Sequence, residues 1–352
     1  MKEYGHGGDI YKYDNKEMID FSSNVNPKGL PLSVKNAIID NIDEYSKYPD
    51  PNCRELKIAL EEYHNIPKSY VVCGNGAADI IFRVVLAKKP KKALIVVPTF
   101  SEYEIALNVV DCEIKYHVLL EKDNYMLTST ILEKLEEDIH MIFICNPNNP
   151  TGHVIEKNLM IKIAEEAKKK NILLVVDECF NDFLVEGEKY TLIPYLKENL
   201  QVVILKAFTK NYAMAGLRVG YCLSSNLEFN KIIENTLQPW SVSTVGMKAG
   251  VAALKEKEYL EESKKQNDES RKYLVSNLKD MGFKLFDSKA NYIFFYSNIE
   301  NLDEKTKEYS ILIRDCSNYI GLEKGYYRIA VKSQEDNVTL IKVLREITQR
   351  II

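Results

Sequence analysis

The chain has 352 residues, enough for one large domain and a smaller one, and its 45% apolar and 28% charged residues are the balance of a soluble globular protein. A formal net charge of −4 implies no polyanion partner, so nucleic acid is not expected. The seven cysteines form no Cys-x-x-Cys pair, no apolar run is long enough to span a bilayer, and the Met1 to His6 segment has no signal-peptide core; the expectation is a cytoplasmic protein with free thiols, no metal site and no membrane partner.

In chain order, residues 1–45 lack an alternating pattern and are expected to join residues 250–352 in a small domain. Residues 46–249 form the expected large domain. Its short Val- and Ile-rich runs lie at 93–97, 114–119, 141–145, 172–176, 202–205 and 219–223. Helical patterns at 77–88, 101–110 and 156–170 lie between them. This alternation predicts an α/β architecture with a mostly parallel, buried sheet. After residue 225 the texture changes. A Lys- and Glu-rich helix at 256–281, short strands at 283–286, 292–296, 311–314 and 327–331, and a last helix from about 334 predict an α+β cap.

Four segments of the large domain follow strand-like runs. Gly74-Asn75-Gly76-Ala77-Ala78-Asp79 opens a helix, and free N–H groups at such a start favour an anion. Alone it is as readily a tight strand-to-helix turn. Asn146-Pro147-Asn148-Asn149-Pro150-Thr151-Gly152 leaves the carboxyl end of a strand, where ligands bind in open α/β sheets. Asp177 ends the run 172–176, and a carboxylate there is costly without a partner, such as a protonated ring nitrogen or a neighbouring Lys or Arg. Lys210 follows the run 202–205, with Thr209 beside it and Arg218 eight residues on. A desolvated lysine becomes a nucleophilic amine able to bond an aldehyde, and Arg218 could grip a phosphate.

Taken together, in this order, these segments resemble the fold-type I pyridoxal-phosphate enzymes with the aspartate-aminotransferase-like fold, in the histidinol-phosphate aminotransferase branch. The likeness runs nearly end to end. Within the branch, His6-Gly7-Gly8-Asp9, Asp20-Phe21-Ser22-Ser23-Asn24-Val25-Asn26-Pro27, Gln238-Pro239-Trp240-Ser241-Val242, the segment from Ile311 to Tyr319 and Tyr326-Tyr327-Arg328-Ile329-Ala330 are most similar to members that decarboxylate a phosphorylated amino acid. The resemblance implies pyridoxal 5'-phosphate as cofactor and Lys210 as its Schiff-base lysine. Asp177 would pair with the ring nitrogen, Asn149 with the ring hydroxyl, and Tyr103 would stack on the ring. Gly76, Ala77, Thr209 and Arg218 would hold the cofactor phosphate. Tyr48 would reach the phosphate of a second subunit, which implies a homodimer. Arg328 would take the substrate carboxylate, while His6, Asn26 and Arg314 would face the substrate phosphate.

Two residues depart from the branch pattern. Phe180 stands where the transaminases usually carry a Tyr that bonds the ring hydroxyl. Ala207 replaces a Ser or Thr, and one charge-assisted hydrogen bond, worth roughly 1.5–3 kcal/mol, goes with it. The implied reaction is decarboxylation of L-threonine O-3-phosphate to (R)-1-aminopropan-2-yl phosphate in cobalamin biosynthesis, or of L-serine phosphate to ethanolamine phosphate. Amino transfer from histidinol phosphate to 2-oxoglutarate is the alternative.

Overall fold

Alternate residues of each central strand enter two different cores, which is why these strands are apolar along their whole length. Leu94, Val96, Ile142, Ile144, Leu174, Val176, Val202 and Ile204 face one core. Their neighbours Ala93, Ile95, Val97, Phe143, Leu173, Val175, Val203 and Leu205 face the other. The computed structural model describes residues 5–13, 17–236 and 238–350. Among these, seven strands form the main sheet, in the order Val71–Gly74, Gly220–Leu223, Val202–Ala207, Leu173–Asp177, Met141–Cys145, Lys92–Val97 and Glu113–Val118. The five from Val202–Ala207 to Glu113–Val118 run parallel, and Gly220–Leu223 is antiparallel to both its neighbours. The sheet is therefore mostly parallel and doubly covered, as the alternation requires.

The C-terminal part carries an antiparallel sheet ordered Arg314–Asp315, Tyr326–Ala330, Tyr292–Tyr296, Lys284–Leu285. The helices Lys257–Asp280 and Gln334–Gln349 supply Leu274, Leu278, Leu340 and Leu344 to its core. The strand expected over 311–314 divides. Ile311–Leu312 pairs with Ile19–Asp20, while Arg314–Asp315 pairs with Tyr326–Ala330, and the buried Ile313 lies between. Ile19–Asp20 and the fully buried Phe21 thus join the chain's beginning to this core. The helix Leu32–Asp40 does not follow them; it packs against Thr244–Ala253. The segment from Asn24 to Gly29 also contacts the C-terminal part, through Asn291, Ser263 and Tyr259.

A buried charge network braces the sheet beneath its carboxyl ends. Lys206 is 3% exposed and its Nζ lies 2.8 Å from Asp182 Oδ1. Desolvation opposes the ammonium, but Asp182 and Glu178 outweigh it and raise its pKa. Glu178, also buried, accepts hydrogen bonds from Thr191 Oγ1 (2.6 Å) and Leu192 N (2.9 Å). Removing one partner of such a set leaves an uncompensated buried charge. Lys206→Met should lower stability by about 3–5 kcal/mol in urea denaturation, whereas Lys92→Met, which removes a solvent-exposed pair with Asp138 and Glu113, should leave the midpoint unchanged.

Candidate active site

The loops leaving the carboxyl ends of the parallel strands converge on one cavity. Its walls include Ala77, Cys145, Asn149, Asp177, Phe180, Ala207, Thr209, Lys210, Arg218 and Arg328. Lys210 lies three residues past the end of Val202–Ala207. Desolvation is the main force on its amine, and the guanidiniums of Arg328 and Arg218 add to it, so its pKa is pushed down to about 8. The lysine is therefore a reactive amine because of where the strand delivers it, with cations rather than anions as its main charged neighbours.

Asp177 ends the adjacent strand, 6% exposed. Its Oδ2 accepts from Tyr103 Oη (2.6 Å) and its Oδ1 from Cys179 N (2.9 Å). Both donors are neutral. Among the described residues no cationic side chain pairs with Asp177, so its charge is left for a cation arriving in the cavity. The structure corrects the expectation for Tyr103. Tyr103 is fully buried, stacked on Phe143 at 4.8 Å and 7°, and burial together with Asp177 keeps its hydroxyl protonated. It stands behind the carboxylate, not in the cavity. Phe100, three residues earlier and just ahead of the helix Glu102–Asn108, lines the cavity instead. One turn of helix separates the two rings and sends them to different places.

The Asn-rich loop is held rigidly. Asn148 donates to Pro98 O (3.0 Å) and Thr151 Oγ1 (3.0 Å), and its carbonyl accepts from Tyr292 Oη (2.8 Å). Gly152, at φ +75°, passes so close to Ser288 that an added Cβ would sit 1.8 Å from its Oγ. This clamp aims Asn149 inward, where its Oδ1 accepts from Arg328 Nη1 and leaves its amide N–H groups able to donate. Arg328 Nη2 also donates to Ser22 O (2.6 Å), while its Nε is buried without a partner. Arg328 stands in the strand Tyr326–Ala330 of the other sheet, so both halves of the chain meet at this guanidinium.

A phosphate cradle lies on the opposite side. Gly76 begins the helix Gly76–Lys88 at φ +84°, and a Cβ there would lie 2.7 Å from Arg218 Nη2. Glycine lets the guanidinium close on the helix start, which with Ala77 and Thr209 presents backbone N–H groups, a hydroxyl and a cation. Ala207 adds only a methyl. An amine of lowered pKa, a carboxylate set for a cation, an amide donor and an anion cradle in one cavity fit pyridoxal phosphate.

At the mouth, His6 and Arg314 both line the cavity. His6 Nε2 lies 3.0 Å from Glu102 Oε1, and Arg314 donates to Gly5 O (2.5 Å) and Asn318 Oδ1 (2.8 Å). Asn26 does not face the substrate side as expected. It is 4% exposed, and its Nδ2 is committed to Asn211 O and Ser263 Oγ, each at 2.8 Å. Asn24, two residues earlier, lines the cavity together with Ser22 and Ser23, and its Oδ1 has no hydrogen-bond partner. The Asn-x-Asn repeat made either residue a candidate; only the path of the segment separates them. Tyr48 lies outside the cavity, 80% exposed and stacked on Trp240 at 4.5 Å. Among the described residues, no group of three His, Cys, Asp or Glu could hold a metal ion, no helix is long and apolar enough to cross a membrane, and the seven cysteines are free and buried.

Comparison with known proteins bears on this geometry. The profile of the family described as aminotransferase class I and II matches residues 16–344. The threonine-phosphate decarboxylase of Salmonella typhimurium is 36% identical over 97% of this chain and 96% of its own. The adenosylcobalamin biosynthesis bifunctional protein CobDQ of Leptospira interrogans is 30% identical over 97% of this chain and 41% of its own length. The crystal structure of the histidinol-phosphate aminotransferase from Clostridium acetobutylicum superposes with a TM-score of 0.89 at 30% identity, covering 95% of this chain and all of that one. The cavity around Lys210 and the match along nearly the whole chain lead to one conclusion: this protein belongs to the class I and II aminotransferase family of fold-type I, pyridoxal-phosphate-dependent enzymes.

Proposed function

We propose that the protein is a lyase that decarboxylates L-threonine O-3-phosphate to (R)-1-aminopropan-2-yl phosphate, a step towards cobalamin, acting as a cytoplasmic homodimer in which Tyr48 reaches the partner's cofactor phosphate. The observation that carries this reading is the pair of guanidiniums on one cavity, Arg328 buried near Lys210 and Arg314 at the mouth beside His6. A phospho-amino acid has two anionic handles, and these arginines suit both. Phe180 adds support. It lines the cavity edge-on to Tyr292 at 5.0 Å and 79°, and brings no hydroxyl to a ring oxygen.

Bound pyridoxal phosphate supplies the electron sink for the pair left by the departing carboxylate. The protein's own residues do the rest. Asp177 would hold a positive charge at the ring nitrogen. Gly76, Ala77, Thr209 and Arg218 would anchor the phosphate, and Asn149 would donate to the ring hydroxyl. Arg328 holds the substrate carboxylate while Arg314 and His6 hold the substrate phosphate. Binding energy at the remote phosphate thus fixes the rotation about Cα and decides which bond breaks. Lys210 Nζ, or a water, then delivers a proton to Cα, replacing the carbon dioxide that leaves.

Two outcomes test this reading. The purified protein loaded with pyridoxal phosphate should release carbon dioxide from L-threonine phosphate with no keto acid added. L-Serine phosphate, one methyl smaller, should follow with a kcat/KM lower by about 10–200-fold, the worth of a methyl in an apolar pocket. Glutamate formed from histidinol phosphate and 2-oxoglutarate, without release of carbon dioxide from either phospho-amino acid, would overturn the decarboxylase in favour of the transferase. The second outcome concerns the amine. A pKa lowered from 10.5 to about 8 leaves the neutral, nucleophilic form present above pH 8 instead of above 10.5. Borohydride trapping of pyridoxal phosphate on the apo-protein, read by mass spectrometry, should label Lys210 at a rate that rises with pH to half its plateau near 8. A midpoint near 10.5, or a label elsewhere, removes Lys210 from this role.

A further inference from the structure

Asn26 has no free group for a substrate, yet it makes a concentrated set of contacts to the backbone of the reactive lysine and its neighbour. Its backbone N–H donates to Lys210 O at 3.0 Å. Its side-chain Nδ2 donates to Asn211 O and to Ser263 Oγ, both at 2.8 Å. Its Oδ1 accepts from Lys28 N at 3.1 Å, so each polar atom of the side chain is used. From the other side, Asn211 Nδ2 donates to Asp182 Oδ2 at 3.1 Å, and Asp182 is the partner of Lys206 in the strand that leads to Lys210. Lys210 and Asn211 are thus held from both flanks.

Asn26 also belongs to a short span with a second fixed point. Four residues earlier, Ser22 O accepts from Arg328 Nη2 at 2.6 Å, and Phe21 O accepts from Ala330 N at 2.8 Å. Between these points Ser22, Ser23 and Asn24 line the cavity. One short span therefore ties the guanidinium near the amine to the backbone that carries the amine. Ser263 is on the long helix Lys257–Asp280, so the tie reaches the C-terminal part as well.

We infer that Asn26 is a positioning residue for Lys210: its backbone N–H holds Lys210 O, its side-chain amide holds the next carbonyl, Asn211 O, and through the span from Ser22 these bonds set the distance between Lys210 Nζ and Arg328. The inference rests on the reading of Lys210 as the reactive amine, and it holds for a decarboxylase or a transaminase alike, since both need the amine at one place. Displacing a reacting group by about 1 Å costs up to ~100-fold in rate.

The test uses the full-length chain with Asn26→Ala, Asn26→Asp and Ser263→Ala. Asn26→Asp keeps the shape and the acceptor but removes both amide donors. Ser263→Ala removes the other acceptor of Asn26 Nδ2 and leaves the bond to Asn211 O. The readouts are borohydride trapping of pyridoxal phosphate on Lys210 of the apo-protein at pH 8, kcat and KM of the holoenzyme on L-threonine phosphate, and thermal unfolding. Both Asn26 variants should trap at least ~10-fold more slowly and lose kcat by a similar factor with KM within about twofold, while Ser263→Ala stays within about twofold of wild type in trapping and kcat. Trapping rates for the Asn26 variants equal to those of Ser263→Ala would overturn the inference, and so would losses that follow the fall in melting temperature across all three variants. Wild-type protein that fails to trap at Lys210 would instead overturn the reading of the amine on which the inference rests.

Discussion

Lys210 Nζ shares its cavity with Arg328 and Arg218, and this crowding of positive charge in a desolvated site organises everything around it. An ammonium there is disfavoured twice, by burial and by its neighbours, so the proton is loosely held. The two guanidiniums cannot give up their own protons, and they remain as fixed cations that invite anions into the cavity. Among the described residues Arg328 donates to neutral acceptors, the oxygens of Asn149 and Ser22, and forms no ion pair. The same arrangement that favours the neutral amine favours anions in the cavity.

Such a site needs a stiff support, and the parallel sheet supplies it. Asp177 and the strand leading to Lys210 lie side by side, with Asp177 in register with Leu205. Tyr103 and the backbone of Cys179 hold the carboxylate by neutral hydrogen bonds and leave its charge intact. Below, Lys206, Asp182 and Glu178 balance one another within the sheet. Their pairing keeps these charges from competing with the charges above.

Only part of the cavity belongs to the main sheet. Arg328 and Arg314 come from the antiparallel sheet, and His6, Ser22 and Asn24 from the N-terminal segment that joins it through Ile19–Asp20 and Phe21. The cavity is thus built by two frameworks, the main sheet and the antiparallel sheet with its N-terminal segment; in the proposed reaction the first would hold the cofactor and the second the substrate. In the proposed reaction this division separates the electron sink, common to the family, from the handles that choose which bond is broken.

The continuous apolar runs at 93–97, 141–145, 172–176 and 202–205 were sufficient to specify a parallel sheet covered on both faces, because only strands buried on both sides are apolar at every position. The glycine turn, the Asn-rich loop, Asp177, Thr209 and Lys210 stand at or just past strand ends, so local order along the chain already sets their place at the sheet's carboxyl edge. Tyr103 and Phe100 were not separable in this way, since a helix start sends one ring behind Asp177 and the other into the cavity. Nor were Asn24 and Asn26, which lie on one short segment whose contacts depend on what it runs between: the cavity for Asn24, the backbone of Lys210 and Asn211 for Asn26. The splitting of 311–314 between two sheets also depends on long-range partners. Sequence by itself determined which residues end the strands; tertiary structure alone decided which of two nearby candidates turns inward, because that choice is made by packing against segments distant along the chain.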